Sequence, residues 1–235
     1  MNTYWEAMSI QQLVRGFAPV LHFHPKEGEH CCFPSDAEEV FKRYHMDWTL
    51  FGEGKAPKTL DRSAPRYFGS WTDDNLTQIR YWIWYNYNDF PTGPLGIGKH
   101  LGDWEHIEVR LFQGLDPVCL LSNHDSARIA ASSGTFPGFA TEAAMLEDTH
   151  LHAWVALGSH AHYPSPTSQP RCYARLFCDK IADNGAMWHT EQNLKSLADT
   201  NFNAFKGRWG DQRSPWSPLN EHNNRWRNAP DLRPV

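Results

Sequence analysis

At 235 residues, with 27 acidic against 22 basic side chains and a formal net charge of −5, the chain offers no general attraction to polyanions, so nucleic acid is not an expected partner. The length suits one large β-sandwich or two small domains, and no Gly/Ser or charge-rich linker divides it; residues 1–235 are expected to form a single domain. The N-terminal stretch lacks a basic region followed by an apolar one, and no later run reaches the length of a bilayer span, so a cytoplasmic protein without a transmembrane segment is expected unless a non-classical route exports it.

Strand-like runs recur between turn signals. In chain order they are Ala18–Phe23, Gln78–Asn86, Trp104–Phe112, Val118–Asn123, Ala153–Leu157 and Arg171–Phe177. Helical signals are fewer: Ser35-Asp-Ala-Glu38 reads as a capping box opening a helix through Phe41, Thr141–Leu146 reads as a second, and Gln192–Phe205 has helical spacing at Leu194, Leu197 and Phe202. Gly52–Asp74 and the tail after Gly207 carry Pro, Gly, Arg and Trp without periodicity and read as long surface loops. The fold class that follows is mainly β: a β-sandwich with short peripheral helices and long loops. Five cysteines, Cys31 and Cys32 adjacent and Cys119, Cys172 and Cys178 scattered, do not form a disulfide framework, and reduced buried thiols are expected. Eleven Trp and 13 His enrich the chain in aromatic packing groups and in side chains that ligate metals or move protons near neutral pH.

The densest chemistry lies in His100-Leu-Gly-Asp-Trp-Glu-His106. From Trp104 the sequence alternates, so Glu105, Ile107, Val109 and Leu111 share one strand face and His106, Glu108 and Arg110 the other. The apolar set must face the core, and Asp103 points the same way as Glu105. Two carboxylates at the mouth of a core repel unless a cation neutralises them. In the preceding strand Tyr81, Ile83, Tyr85 and Tyr87 alternate towards Asp89, a third possible oxygen ligand, and His100, after the glycine-rich loop, is a possible nitrogen ligand. Asp89, His100, Asp103 and Glu105 together form a hard donor set suited to Mg²⁺, Mn²⁺ or Ca²⁺. The bland alternative is that Asp103 and Glu105 cap a turn or pair with Arg80 or Arg110.

Several blocks in this order resemble the Vps62-related proteins: Phe17-Ala-Pro-Val-Leu-His-Phe-His-Pro-Lys-Glu27, Phe33-Pro-Ser-Asp36, Tyr81-Trp-Ile-Trp-Tyr-Asn-Tyr-Asn88, Gly102-Asp-Trp-Glu-His-Ile-Glu-Val109, Val155-Ala-Leu-Gly-Ser-His-Ala-His-Tyr-Pro164 and Gly207-Arg-Trp-Gly210. More remotely, His100, Asp103, Trp104, Glu105 and Asp89 resemble the G-H-R-H-D-W-E heptapeptide, and the Asp that ends its preceding strand, of the necrosis- and ethylene-inducing peptide 1-like proteins. That second resemblance implies a β-sandwich holding a divalent cation at one end. This chain departs from the heptapeptide at Lys99-His100-Leu-Gly-Asp103, and its loop after Asp89 is longer.

Two further histidines stand at strand ends, His124 in Ser122-Asn-His-Asp125 and His160 in Gly158-Ser-His-Ala-His162. Each is a candidate catalytic proton carrier beside the metal, His124 with Asp125 as its tuning carboxylate, or else an anchor for a loop carbonyl. His22-Phe-His24 followed by His30-Cys31-Cys32 contains zinc donors but fits no zinc-finger spacing, and the pairs His150/His152 and His160/His162 lack the glutamate of a cupin site. Trp209, Trp216 and Trp226, interleaved with Arg208, Arg213, Arg225 and Arg227, read as a tail that seals a sandwich edge. Two functions compete. One is a metal-dependent enzyme acting on a small polar or head-group-like substrate, with a metal-polarised oxygen and a histidine proton carrier. The other is a cytolysin-like membrane or glycolipid-binding module whose metal coordinates a sugar head group.

Overall fold

The computed structural model describes residues 4–30, 32–52, 57–73, 75–91, 93, 96–124, 126–132, 135–136 and 139–220. Cys31, Asp125, Arg225, Trp226 and Arg227, each given a reading above, lie outside the described residues.

Two sheets make the body of the fold. In the smaller, strand β1 (Val20–Phe23) runs parallel to His150–Val155 on one side and antiparallel to Met187–His189 on the other, and Leu146–Glu147 and His162–Tyr163 both pair with His150–Val155. In the larger, Leu194–Ser196 is followed across the sheet by β2 (Arg66–Thr72), β3 (Leu76–Asn88), β4 (His100–Phe112), β5 (Val118–Asn123), β6 (Ser126–Ala131) and Glu142–Ala143. The sheets pack face to face: Leu21 and Phe23 of β1, with Ala153 and Val155, share one core with Ile83, Ile107, Val109 and Leu121 of the larger sheet. A mainly β sandwich with few short helices is therefore what the sequence forms, as its patterning predicts.

The alternation predicted for β4 holds residue by residue. Ile107, Val109 and Leu111 enter the core between the sheets. On the opposite face the His106 ring lies 4.2 Å from Trp82, and Glu108 is held between Arg80 and Arg110. The basic partners that the sequence offered to Asp103 and Glu105 thus go to Glu108. That outer face is itself buried: Trp82, Trp84 and Trp104 pack against Phe202 and Trp209 and against Phe41 of a helix. The segment around Trp209 thus covers the outer face of the larger sheet, where the sequence predicts a seal along a sandwich edge.

Three short α-helices occur among the described residues: α1 (Ile10–Gly16), α2 (Glu27–His30) and α3 (Ala37–Tyr44). The capping box belongs to α1, where Ser9 and Gln12 cap each other reciprocally. At α3 the cap is Asp36, which accepts from the Glu38 amide at 2.8 Å, while Ser35 turns away to Asn86. None of the helices is long and apolar enough to cross a membrane.

Other expectations are corrected. The Gly52–Asp74 loop contains β2, whose Arg66 is 1% exposed and whose ladder on β3 runs from Tyr67–Trp82 to Thr72–Thr77. Thr141–Leu146 is not helical; Glu142–Ala143 runs parallel to Ala130–Ala131 of β6, and sheet-edge pairing overrides local helix propensity. Gln192–Phe205 is a strand, Leu194–Ser196, followed by a 3₁₀ turn at Leu197–Asp199. Cys172 and Cys178 are not reduced thiols: they join in a disulfide across the hairpin Cys172–Tyr173/Phe177–Cys178, and Cys119 is the buried free cysteine among the described residues.

Candidate functional site

The site forms where β3 ends and β4 begins. The antiparallel register sets Tyr85 opposite Asp103 and Asn88 opposite His100. Gly102 interrupts the regular alternation between His100 and Asp103. Its φ is +66°, and an added Cβ would fall 2.4 Å from both the Trp209 carbonyl and the Trp84 ring, so only glycine fits. Asn88, His100, Asp103 and Glu105 all line one open cavity of about 440 Å³, with His124, Arg171, Tyr173 and Arg213 also on its walls. Asp103 and Glu105 are only 1% and 2% exposed, which makes them the deep end, whereas Tyr173 stands at the surface.

Asp103 is held from behind. Its Oδ2 accepts from Asn88 Nδ2 at 2.9 Å and lies 3.1 Å from His160 Nδ1. The His160 ring is wholly buried; its Nε2 lies 3.7 Å from Glu27 Oε1, and its face stacks on Tyr85. Burial alone would depress the pKa of this imidazole, but its bond to Asp103 and the nearby charges of Glu27 and Asp103 outweigh it and push the value up to about 9. Burial raises the Glu27 pKa as well, against the opposing pull of His160 and the Gly158 amide.

The turn that delivers His160 is built for the purpose. Gly158 at φ +66° and His160 at φ +60° reverse the chain, and the Asp89 amide donates to the Gly158 carbonyl at 2.8 Å. A side chain at Gly158 would collide with the Asp89 carbonyl at 2.3 Å. His160 is absent from the cavity lining among the described residues and reaches the cavity only through Asp103.

Glu105 and His124 have supports of their own. The Ser122 hydroxyl donates to Glu105 Oε2 and stands 3.1 Å from His162 Nδ1. His124, at φ +57°, stands with Nε2 2.9 Å from Asp179 Oδ2, and the same carboxylate accepts from Ser159 Oγ at 2.6 Å and from the Tyr163 hydroxyl. Burial raises the Asp179 pKa, but the bond and charge of His124 and the two hydroxyls outweigh it, so the value lies below that of an ordinary carboxyl. The carboxylate behind His124 is therefore Asp179.

Of the four expected metal ligands, three share the cavity. Asp89 instead forms an ion pair with Lys99 and lies 3.9 Å from His30. His100 Nδ1 is 2.7 Å from the Gly102 carbonyl; a carbonyl only accepts, so the proton sits on Nδ1 and the lone pair on Nε2, the arrangement of a metal-ligating imidazole with its second nitrogen bonded to the backbone. Asn88 supplies a further oxygen. It is 6% exposed, its amide nitrogen is committed to Asp103 and to the Ser159 carbonyl, and its Oδ1 has no hydrogen-bond partner among the described residues. Two carboxylates, a neutral amide oxygen and an imidazole nitrogen fit a hard divalent ion in type. Among the described residues no three acidic, imidazole or thiolate side chains are gathered at binding distance.

Sequence reasoning missed Asn88, Glu27, Asp179, Arg171 and Tyr173. Asn88 was within reach, since it ends the aromatic run that the site depends on. Asp179 and Glu27 carry no local signal; they arrive from distant parts of the chain through the smaller sheet and its connections.

With fold and site described, the chain can be compared with known proteins. No family model matches it, and no curated protein does. Solved structures do: the non-toxic HaNLP3 protein (TM-score 0.49, 16% identity, over 82% of this chain and 77% of that one), NLPPya in complex with glucosamine (0.48, 18%, 85% and 78%), and Necrosis and Ethylene inducing Protein 2 from the causal agent of cocoa's Witches Broom disease (0.40, 16%, 81% and 74%). The structures it resembles are thus toxin-fold proteins of the necrosis- and ethylene-inducing kind.

Proposed function

We propose that the chain is a binding module that takes a small hydroxylated head group, such as the sugar of a glycolipid, in the Asp103–Glu105 cavity, with a divalent cation (Mg²⁺, Mn²⁺ or Ca²⁺) as the bridge. The observation that carries this reading is the buried Asn88 Oδ1, without a hydrogen-bond partner among the described residues, on the lining it shares with the Asp103 and Glu105 carboxylates. Asp103 and Glu105, with the Asn88 amide oxygen, are the residues that would hold the ion; His100 Nε2 would join them only after a shift, and water or ligand oxygens would complete the shell. Bound there, the ion would supply open coordination positions for ligand hydroxyls. The open form of the cavity, with Tyr173 and Arg213 at its rim, suits a head group presented from a surface better than a substrate enclosed for reaction. His160 supports the same reading, because it orients Asp103 from the interior and does not border the cavity. Kinship with the Vps62-related proteins belongs to this proposal and rests on the motif blocks alone.

One observation favours the enzyme reading as the second choice. His124 borders the cavity with Asp179 behind it at 2.9 Å, the pairing of an oriented general base. In that reading His124, and not His160, moves the proton.

Calorimetric titration with glucosamine and mannosamine, the sugars named for two similar structures, tests the first reading, with and without Ca²⁺, Mg²⁺ or Mn²⁺, on wild type and Asp103→Asn. Cation-dependent uptake of one ligand per chain, lost in the variant, is expected. Uptake indifferent to all three ions and to Asp103→Asn would overturn it.

A further inference from the structure

The outer face of the smaller sheet collects histidines that the cavity does not use. In β1, Leu21 and Phe23 enter the core and His22 points away from it; Leu151 and Ala153 likewise leave His152 outside, and Trp188 leaves His189 outside. The register sets Val20 opposite His152 on one side and opposite His189 on the other, so imidazoles from three adjacent strands lie within two residues of one row. His22 Nε2 and His152 Nδ1 already face each other at 2.8 Å. The His22 ring stacks on Trp154, with centroids 4.5 Å apart and planes 10° from parallel. Glu147 Oε2 stands 3.4 Å from the other nitrogen of His152.

We propose that His22 Nε2 and His152 Nδ1 form a binding site for a transition-metal ion of borderline softness, Cu²⁺ or Zn²⁺, separate from the oxygen-rich cavity. The two nitrogens share one proton, and an ion that displaces it gains both lone pairs. At metal–nitrogen distances of about 2.0–2.1 Å and a tetrahedral angle, the nitrogens must separate to roughly 3.3 Å, a shift of about half an ångström. His22 is only half-buried and can make that shift by sliding over Trp154. The Glu147 carboxylate, 3.4 Å from His152 Nε2, favours a proton on that nitrogen and so the tautomer with its lone pair on Nδ1, the placing of a carboxylate behind a ligating imidazole. No third donor stands at coordinating distance among the described residues, so water, or the His189 ring after rotation, completes the shell. Imidazole donors prefer Cu²⁺ and Zn²⁺, with Cu²⁺ the tighter, whereas the Asp103–Glu105 oxygens prefer Mg²⁺, Mn²⁺ or Ca²⁺. The sequence hides the site because its two histidines are separated by 130 positions and meet only through a parallel strand pair.

The test is Cu²⁺ titration of the full chain at pH 7.5, with electron paramagnetic resonance counting nitrogen donors. One tight ion with at least two nitrogens is expected. His22→Ala, its companion His22→Asn and His152→Gln should each weaken that site about 100-fold or more, Glu147→Gln about ten-fold as outer-shell partners do, and Asp103→Asn not at all. Wild-type Cu²⁺ affinity and nitrogen count in either folded His22 variant, or loss of the copper site in Asp103→Asn, would overturn the proposal.

Discussion

The imidazole of His160 lies flat on the phenol ring of Tyr85, with centroids 3.8 Å apart and planes 5° from parallel. This stack fixes the ring plane in which Nδ1 meets Asp103 and Nε2 meets Glu27, so one buried side chain ties the small sheet's exit turn to the cavity carboxylate of β4.

His160→Gln is therefore expected to lose stability and cation affinity together. Removing one partner from a buried charged cluster costs about 3–5 kcal/mol, because the remaining carboxylates stay buried without their counter-charge. Urea unfolding and ion titration on the same preparation check this. A variant that keeps its ion affinity and its unfolding midpoint but loses a turnover found for the wild type would make His160 a proton carrier instead.

Among the acidic residues, Asp103→Asn and Glu105→Gln should each weaken divalent-ion binding more than Asp89→Asn. Asp103 and Glu105 line the cavity, whereas Asp89 is engaged by Lys99. Isothermal titration with Mn²⁺ ranks the three. Equal losses would show that Asp89 leaves Lys99 to join the ion.

Gly102→Ala should destabilise the fold by about 3 kcal/mol or more, the sum of a left-handed backbone strained by a side chain and overpacking in a tight core. Its Cβ would press on Trp84 and on the Trp209 carbonyl, the contact that closes the outer face of β4. Thermal unfolding measures it, and a melting temperature equal to wild type would mean that the tail gives way without cost.

Much of the larger sheet was legible because its information is local. Glu105, Ile107, Val109 and Leu111 declare one face of β4 by alternation alone, and β5 runs from Val118 to Asn123 as its apolar run predicts. β2 was not legible: only its ladder on the aromatic strand β3 makes Arg66–Thr72 a strand, and that pairing is absent from the local pattern. Leu194, Leu197 and Phe202 mimic a helix stripe, yet Leu194–Ser196 is claimed by β2 in parallel register with Arg66–Phe68. The site divides in the same way. Asp103, Glu105 and His100 share one strand and could be read together, while Glu27 and Asp179 join them only by tertiary contact. Nor does the local pattern around Asp89 show that Lys99, at the far end of the intervening loop, folds back onto it as an ion-pair partner.

Asp179 gives the site its own acid dependence. Burial pushes its pKa up, but the bond and charge of His124 and the hydroxyls of Ser159 and Tyr163 prevail, so the folded-state value lies below the ordinary 3.8. A carboxyl depressed on folding contributes stability that is present in full above its unfolded-state value and is lost as pH falls below about 3.8 towards the folded-state value. Asp179→Asn keeps a side chain of the same shape but removes the charge, and it offers an amide where Ser159, Tyr163 and His124 bring three donors to one acceptor. At pH 7 the variant should be less stable by about 1.5–3 kcal/mol, the range for hydrogen bonds to a charged group. As pH falls below about 3.8 and the unfolded chain takes up the proton first, the gap should narrow. Urea unfolding at pH 7, 5, 4 and 3 follows the difference directly. A gap that stays constant across that range would mean that the Asp179 carboxyl titrates alike in the folded and unfolded chains, and that its bonds to His124, Ser159 and Tyr163 do not favour its charged form.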